Sequence, residues 1–197
     1  MDISPSARLL FEIITRPSSH DIESALSSIR IPPTHDIVHE VLKLCYENAT
    51  FAIAFFCWVG RTHKLTSYAW NLMVDLLGKN WMYEPMWDAV RTMKQEDMLL
   101  MATFVYVFGS YCMAGKFNKA IMSFYVMEKY GVQQDVVVVN SLLTAIYQEE
   151  NQTTKAMEFF DKIKLKIPPM RILMLFYWKD ERKKAMWPKP RLYLVRW

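Results

Sequence analysis

Apolar residues return at helical spacing along most of the chain, and the same spacing recurs in three consecutive stretches. Residues 67–100, 101–135 and 136–170, of 34, 35 and 35 residues, align without internal gaps. Column four holds Trp70, Phe104 and Val139. Columns seven and eight hold Met73-Val74, Val107-Phe108 and Leu142-Leu143, and column eleven holds Leu77, Tyr111 and Ile146. That spacing is one face of a helix. A second helical face follows, with Val90, Phe124 and Phe159 in column twenty-four. Met93 and Met127 share column twenty-seven, and Ile163 lies one place later. Between the two faces fall short breaks at Lys79-Asn80, Ala114-Gly115-Lys116 and Glu149-Glu150-Asn151. Gly131-Val132 and Pro168-Pro169 read as helix stops. Each stretch is therefore expected to be a helix, a tight turn and a second helix.

A lone hairpin of this kind cannot bury both its faces, so the copies are expected to stack as a solenoid. Residues 32–66 read as a worn copy, with Thr34 as the cap of its first helix. Ile37, Val41 and Leu44 form one face of that copy, and Phe51, Phe55 and Trp58 the other. Periodic stretches at Leu9–Ile14 and Ile22–Ile29 make residues 1–31 a helical cap. The expected organisation is a cap at 1–31, a degenerate repeat at 32–66 and repeats at 67–100, 101–135 and 136–170. A basic, aromatic tail follows at 171–197. The fold class is all-α.

Composition agrees. Only 5 Gly and 9 Pro are present, too few for the turns of a many-stranded protein, and 52% hydrophobic residues exclude a disordered chain. The net charge of +4 is unevenly placed. Residues 1–170 hold 16 basic and 18 acidic residues, whereas 171–197 hold 8 and 2. The repeats are thus near neutral, and the pI of 8.9 says nothing about a basic face on them. Cys45, Cys57 and Cys112 form no CxxC and read as free thiols in a reducing compartment. The longest apolar run, Phe51–Val59, is too short to span a membrane. Asp2 and Glu12 near the start fit poorly with an Arg-rich, acid-poor transit peptide.

Two hairpin-repeat families have this period. The tetratricopeptide type needs a small residue in column eight, where Val74, Phe108 and Leu143 stand here. The chain instead resembles the pentatricopeptide repeat family. The resemblance covers about residues 32–170 and rests on Val136-Val137-Val138-Val139-Asn140 with Leu142-Leu143, on Gly115, Ala120, Met127, Gly131 and Asp135, and on the tandem register. The stretch FFCWVGRTHKLTSYAWNLMVDLLGK is similar to plant organellar members of the P type.

The resemblance implies a right-handed α-solenoid that binds single-stranded RNA at roughly one base per repeat. First helices would line the inner surface. The column-five residue and the last residue of each repeat would meet the base edge: Asn71/Leu100, Val105/Asp135 and Asn140/Met170. The column-two residues Tyr68, Ala102 and Val137 would sandwich the bases. Asn offers both a donor and an acceptor and ionised Asp an acceptor, whereas Leu100, Val105 and Met170 offer neither. Asp135 is also placed to cap the helix that follows it. Binding by so few imperfect repeats is expected to be weak, about micromolar. The resemblance also implies a role in organellar RNA processing or stability, in the mitochondrion first and the plastid second.

No catalytic constellation, metal site or cofactor motif accompanies these residues, and an enzyme is not expected. His35 and His39 are four apart, a metal-ligand spacing, but no third ligand accompanies them. The zinc deaminase pattern, HxE with a later CxxC, is missing too. The aromatic stripe Phe51, Phe55, Phe56 and Trp58 reads as core. The alternative function is a protein-interaction scaffold that takes a peptide or helix in the same groove. An apolar groove would favour it, and Lys79, Lys116, Asn71, Val105 and Asn140 along one groove would favour RNA. The tail breaks the pattern at Met170, where the family would place Asp. Read one base out of frame, Phe176-Tyr177 and Tyr177-Trp178 each encode Leu, at columns seven and eight of a further repeat. The tail is therefore expected to be a frameshifted end of a truncated array, leaving the helix around Phe159 exposed.

Overall fold

The computed structural model describes residues 3–16, 22–29, 31–148, 153–163 and 166. Met170, Pro168-Pro169, the Glu149-Glu150-Asn151 break and the tail 171–197 lie outside the described residues. Among the described residues every regular element is helical. The chain divides into two compact units, Met1–Gln134 and Asp135–Trp197.

The first unit holds α1 (Pro5–Ile14), α2 (Ile22–Ser27), α3 (His35–Leu44), α4 (Ala49–Thr62), α5 (Ser67–Lys79), α6 (Tyr83–Gln95), α7 (Met101–Met113) and α8 (Phe117–Val126). A 3₁₀ turn, Met127–Tyr130, extends α8. Side-chain oxygens start four of the helices. Ser4, Thr34, Asn48 and Thr66 accept the N–H groups of Ala7, Ile37, Phe51 and Ala69 at 3.2, 3.5, 3.5 and 3.1 Å. Each satisfies one backbone donor that the first turn leaves unpaired.

Four helical segments end on a left-handed residue: Trp81 (φ 65°), Asp97 (φ 55°), Gly115 (φ 67°) and Gly131 (φ 83°). In each, the next N–H reaches back to a carbonyl five residues earlier. Met82 bonds Leu77 at 2.9 Å, Met98 bonds Met93 at 2.8 Å, Lys116 bonds Tyr111 at 2.8 Å and Val132 bonds Met127 at 3.1 Å. Only two of the four are glycine, which is why the break after α5 is poorly marked in the sequence.

Packing makes a layered stack. α1, α3, α5 and α7 lie side by side in chain order, and α3, α5 and α7 each pack on the helix that follows. α1 lies on α3 and α2 on α4, so the N-terminal pair extends the same arrangement. α3, covered by both α1 and α5, buries Val38, Val41 and Leu42, and Cys45, which caps its end, is buried as well. Its buried stripe is therefore rotated from the expected Ile37, Val41 and Leu44. In α4, Phe55, Phe56, Trp58 and Val59 are buried and Phe51 is half-buried. Trp58 donates its indole N–H to Ser27 Oγ at 3.1 Å, tying α4 to the end of α2.

The second unit holds α9 (Val136–Gln148) and α10 (Thr153–Ile163), which pack on each other. Val139, Leu142, Leu143 and Ile146 are buried on α9, and Met157, Phe160 and Ile163 on α10. Phe159 is 1% exposed, so the expectation of an exposed helix around it is corrected. α10 packs on α9, the first helix of its own hairpin.

Candidate nucleic-acid interface

The residue that closes one helical hairpin is also the cap of the next first helix. That position is what brings it near column five. Thr103 sits one turn into α7, and its hydroxyl accepts the Leu100 N–H at 3.4 Å and donates to Asn71 Oδ1 at 2.7 Å. Asn71 and Leu100 are thus joined through one buried threonine. A hydroxyl has one proton, and here it goes to Asn71 Oδ1, which leaves the amide's N–H groups as donors. Asn71 is 4% exposed, whereas Leu100 is 48% exposed.

The other expected site residues divide by exposure. The column-two side chains Tyr68, Ala102 and Val137 are all exposed. Val105 is half-buried on α7. Asp135 accepts the Val138 N–H at 2.9 Å and so caps α9. Asn140 has its Oδ1 buried without a hydrogen-bond partner among the described residues. A buried acceptor in that state carries an unmet hydrogen bond, which costs free energy in the folded chain. Met170 lies outside the described residues.

One pair was missed by the motif reading. Counted from the cap Thr34, His39 is the column-five residue of the stretch 32–66, and Thr66 is its last. Their side chains meet, with His39 Nε2 3.2 Å from Thr66 Oγ1. The exposed Tyr68 ring stands edge-on to the imidazole at 4.5 Å and 77°. Lys43 Nζ lies 5.9 Å from the centre of the same ring. Counting from the cap would have found the pair; reading His35 and His39 as a metal spacing hid it.

Burial lowers the His39 pKa from its ordinary 6.5; Asp36 pulls it up, and Lys43 and His35 push it down. The folded state therefore favours the neutral ring. His39 has no effect on stability well above pH 6.5, and destabilises the fold as pH falls through 6.5, because the unfolded chain then binds the proton more readily. Histidine NMR should place its midpoint below 6.5; a midpoint at or above 6.5 would mean that burial does not outweigh the pull of Asp36.

One of the two lysines expected along the groove is paired internally. Lys79 Nζ is 3.3 Å from Asp75 Oδ2 and 4.2 Å from the centre of the Tyr46 ring. The Tyr46 hydroxyl donates to Asp75 and accepts from Lys79. Burial and then the Asp75 hydrogen bond push the Tyr46 phenol well above its ordinary range, and burial followed by Asp75 raises Tyr106. Lys79 thus neutralises Asp75 before any phosphate arrives. Lys116 instead lies in the turn before α8, 4.0 Å from the centre of the Tyr83 ring.

Known proteins resemble this chain in both sequence and fold. The family model for the PPR repeat matches residues 68–98 and 102–132. A mitochondrial pentatricopeptide repeat-containing protein of Arabidopsis thaliana is 28% identical over 170 residues, 85% of this chain and 33% of its own length. Another from the same plant is 32% identical over 154 residues, 74% of this chain and 27% of its own length. The chain thus spans a third or less of these relatives. Both are named mitochondrial, the compartment expected above. The crystal structure of the pentatricopeptide repeat protein PPR10 from maize superposes with a TM-score of 0.64 at 21% identity, covering 92% of this chain and 28% of that one. That likeness gives the fold, an α-solenoid of helical hairpins. With two hairpins matched by the repeat's own model and a member 32% identical over 74% of this sequence, the chain belongs to the pentatricopeptide repeat family.

Proposed function

We propose that the chain binds single-stranded RNA along its first helices and acts, without chemistry of its own, in RNA processing or stability in the mitochondrion. The observation that carries this reading is a recurring local geometry. In the first unit, a column-five side chain meets the residue that closes its hairpin, directly in His39–Thr66 and through Thr103 in Asn71–Leu100. Beside each lies an exposed column-two residue, Tyr68 or Ala102. A base between successive column-two residues would have its edge turned toward that pair. Asn71, 4% exposed, would donate to a base acceptor once its amide turns out from under Thr103, and Asn140 Oδ1 would accept from a base donor.

A protein ligand is the second reading, favoured by the apolar exposed Leu100 and Val137, 48% and 50% exposed, and by the pairing of Lys79 with Asp75. Phosphate neutralisation normally supplies much of RNA affinity, so its scarcity here makes weak binding the expectation. Gel-shift titration of the whole chain against pooled short RNAs should give a dissociation constant of about micromolar or weaker. Asn140→Ala should weaken it roughly tenfold, the loss of one buried hydrogen bond. Nanomolar binding that survives Asn140→Ala would overturn the site, and no binding at all would favour the protein ligand.

A further inference from the structure

Trp81 stands where a glycine belongs. The turns after α5 and α7 are superposable in their hydrogen bonding, each with a left-handed residue followed by an N–H bonded five residues back. In the second turn that residue is Gly115, at φ 67°; in the first it is Trp81, at φ 65°. Left-handed backbone costs nothing for glycine but crowds the Cβ of any other residue. The Trp81 side chain does not recover that cost by packing, because 65% of the residue is exposed. Nor does the adjacent cation account for it: Lys116 Nζ is 4.0 Å from the Tyr83 ring centre and 5.9 Å from that of Trp81, so Tyr83 is what holds it. A strained, exposed indole beside a lysine from the neighbouring turn is a stacking surface with a phosphate contact next to it.

We infer that Trp81 and Lys116 form an additional RNA subsite at the turn edge of the first unit, outside the column-two and column-five positions. The indole face stacks a nucleobase and Lys116 meets its phosphate. The inference rests on the RNA reading above.

The test uses a substitution whose effects on folding and on binding have opposite signs. Trp81→Gly should raise the melting temperature of the whole chain by about 2–4 °C, since it removes the strain. The same variant should weaken binding of a pooled short single-stranded RNA about tenfold, within the range that one stacked base contributes. Trp81→Phe should retain most of the affinity and none of the added stability. With 5-fluorotryptophan in the protein, the ¹⁹F signal that Trp81→Phe removes should shift on RNA addition. If wild type binds RNA and Trp81→Gly binds equally well, the subsite is wrong and the RNA reading stands. If wild type binds no RNA, both fall.

Discussion

Phe104→Ala should cost the protein about 3–5 kcal/mol, the loss typical of a fully buried aromatic ring that leaves a cavity. Phe104 is 0% exposed and lies where three elements meet. Its ring is 6.4 Å from that of Trp87 on α6, 6.4 Å from that of Phe108 on α7 and 6.1 Å from that of Tyr130 in the 3₁₀ turn. The neighbours cannot close the gap, because they are held by other partners. Trp87 donates its indole N–H to the Tyr111 hydroxyl at 2.8 Å, and Tyr111 stacks on Tyr83 at 4.8 Å and 17°. Lys94 binds the Lys129 carbonyl at 2.7 Å and lies 4.9 Å from the Tyr130 ring centre. A melting temperature lower by about 6–20 °C is expected, with Phe104→Leu losing less than half as much. A fall under about 3 °C would mean that the seam collapses into the space.

Gly78→Ala should destabilise by about 1–3 kcal/mol, although the same change inside an ordinary helix stabilises by roughly 0.5–1 kcal/mol. A Cβ at position 78 would lie 2.0 Å from Ser110 Oγ, 2.4 Å from Ser110 Cβ and 3.1 Å from Met86 Sδ. The hydroxyl can rotate and the methionine can flex. Ser110 Cβ cannot, because it is fixed to the backbone of α7. The methyl group therefore pushes α5 and α7 apart and loosens the layer that holds the candidate interface. The double variants separate the causes: Gly78→Ala with Ser110→Gly should recover most of the loss, and Gly78→Ala with Ser110→Ala should not. Equal recovery by both would show that the hydroxyl was the obstacle, and a stabilised single variant would show that the helices are not in contact there. Thermal and urea unfolding of the whole chain measure all three.

The Gly78–Ser110 contact is also a measure of what periodicity reports. Columns seven and eight correctly identified Met73-Val74, Val107-Phe108 and Leu142-Leu143 as buried. They did so because a residue facing any packed neighbour must be apolar, whichever neighbour it is. Small residues at columns ten and twelve carry no such signal. Their meaning depends on how closely α5 and α7 approach, and the two residues lie in different repeats.

The same division runs through the site. The sequence by itself determined the helical hairpins, the start at Thr34, the repeat register and the family, because a helix and its cap depend on spacing within a few turns, and register and family on the return of that spacing every 34 or 35 residues. Asp135 was legible as a cap for the same reason. Tertiary structure alone decided that Asn71 is closed over by Thr103, that Lys79 is consumed by Asp75 and Tyr46, and that His39 meets Thr66 rather than a metal-ligand partner. It also decided that the turn after α5 is made by Trp81 in a conformation suited to glycine. A helical pattern states which side of a helix is covered. It does not state which atoms of the neighbouring helix do the covering, and hydrogen bonds and charges are settled by those atoms.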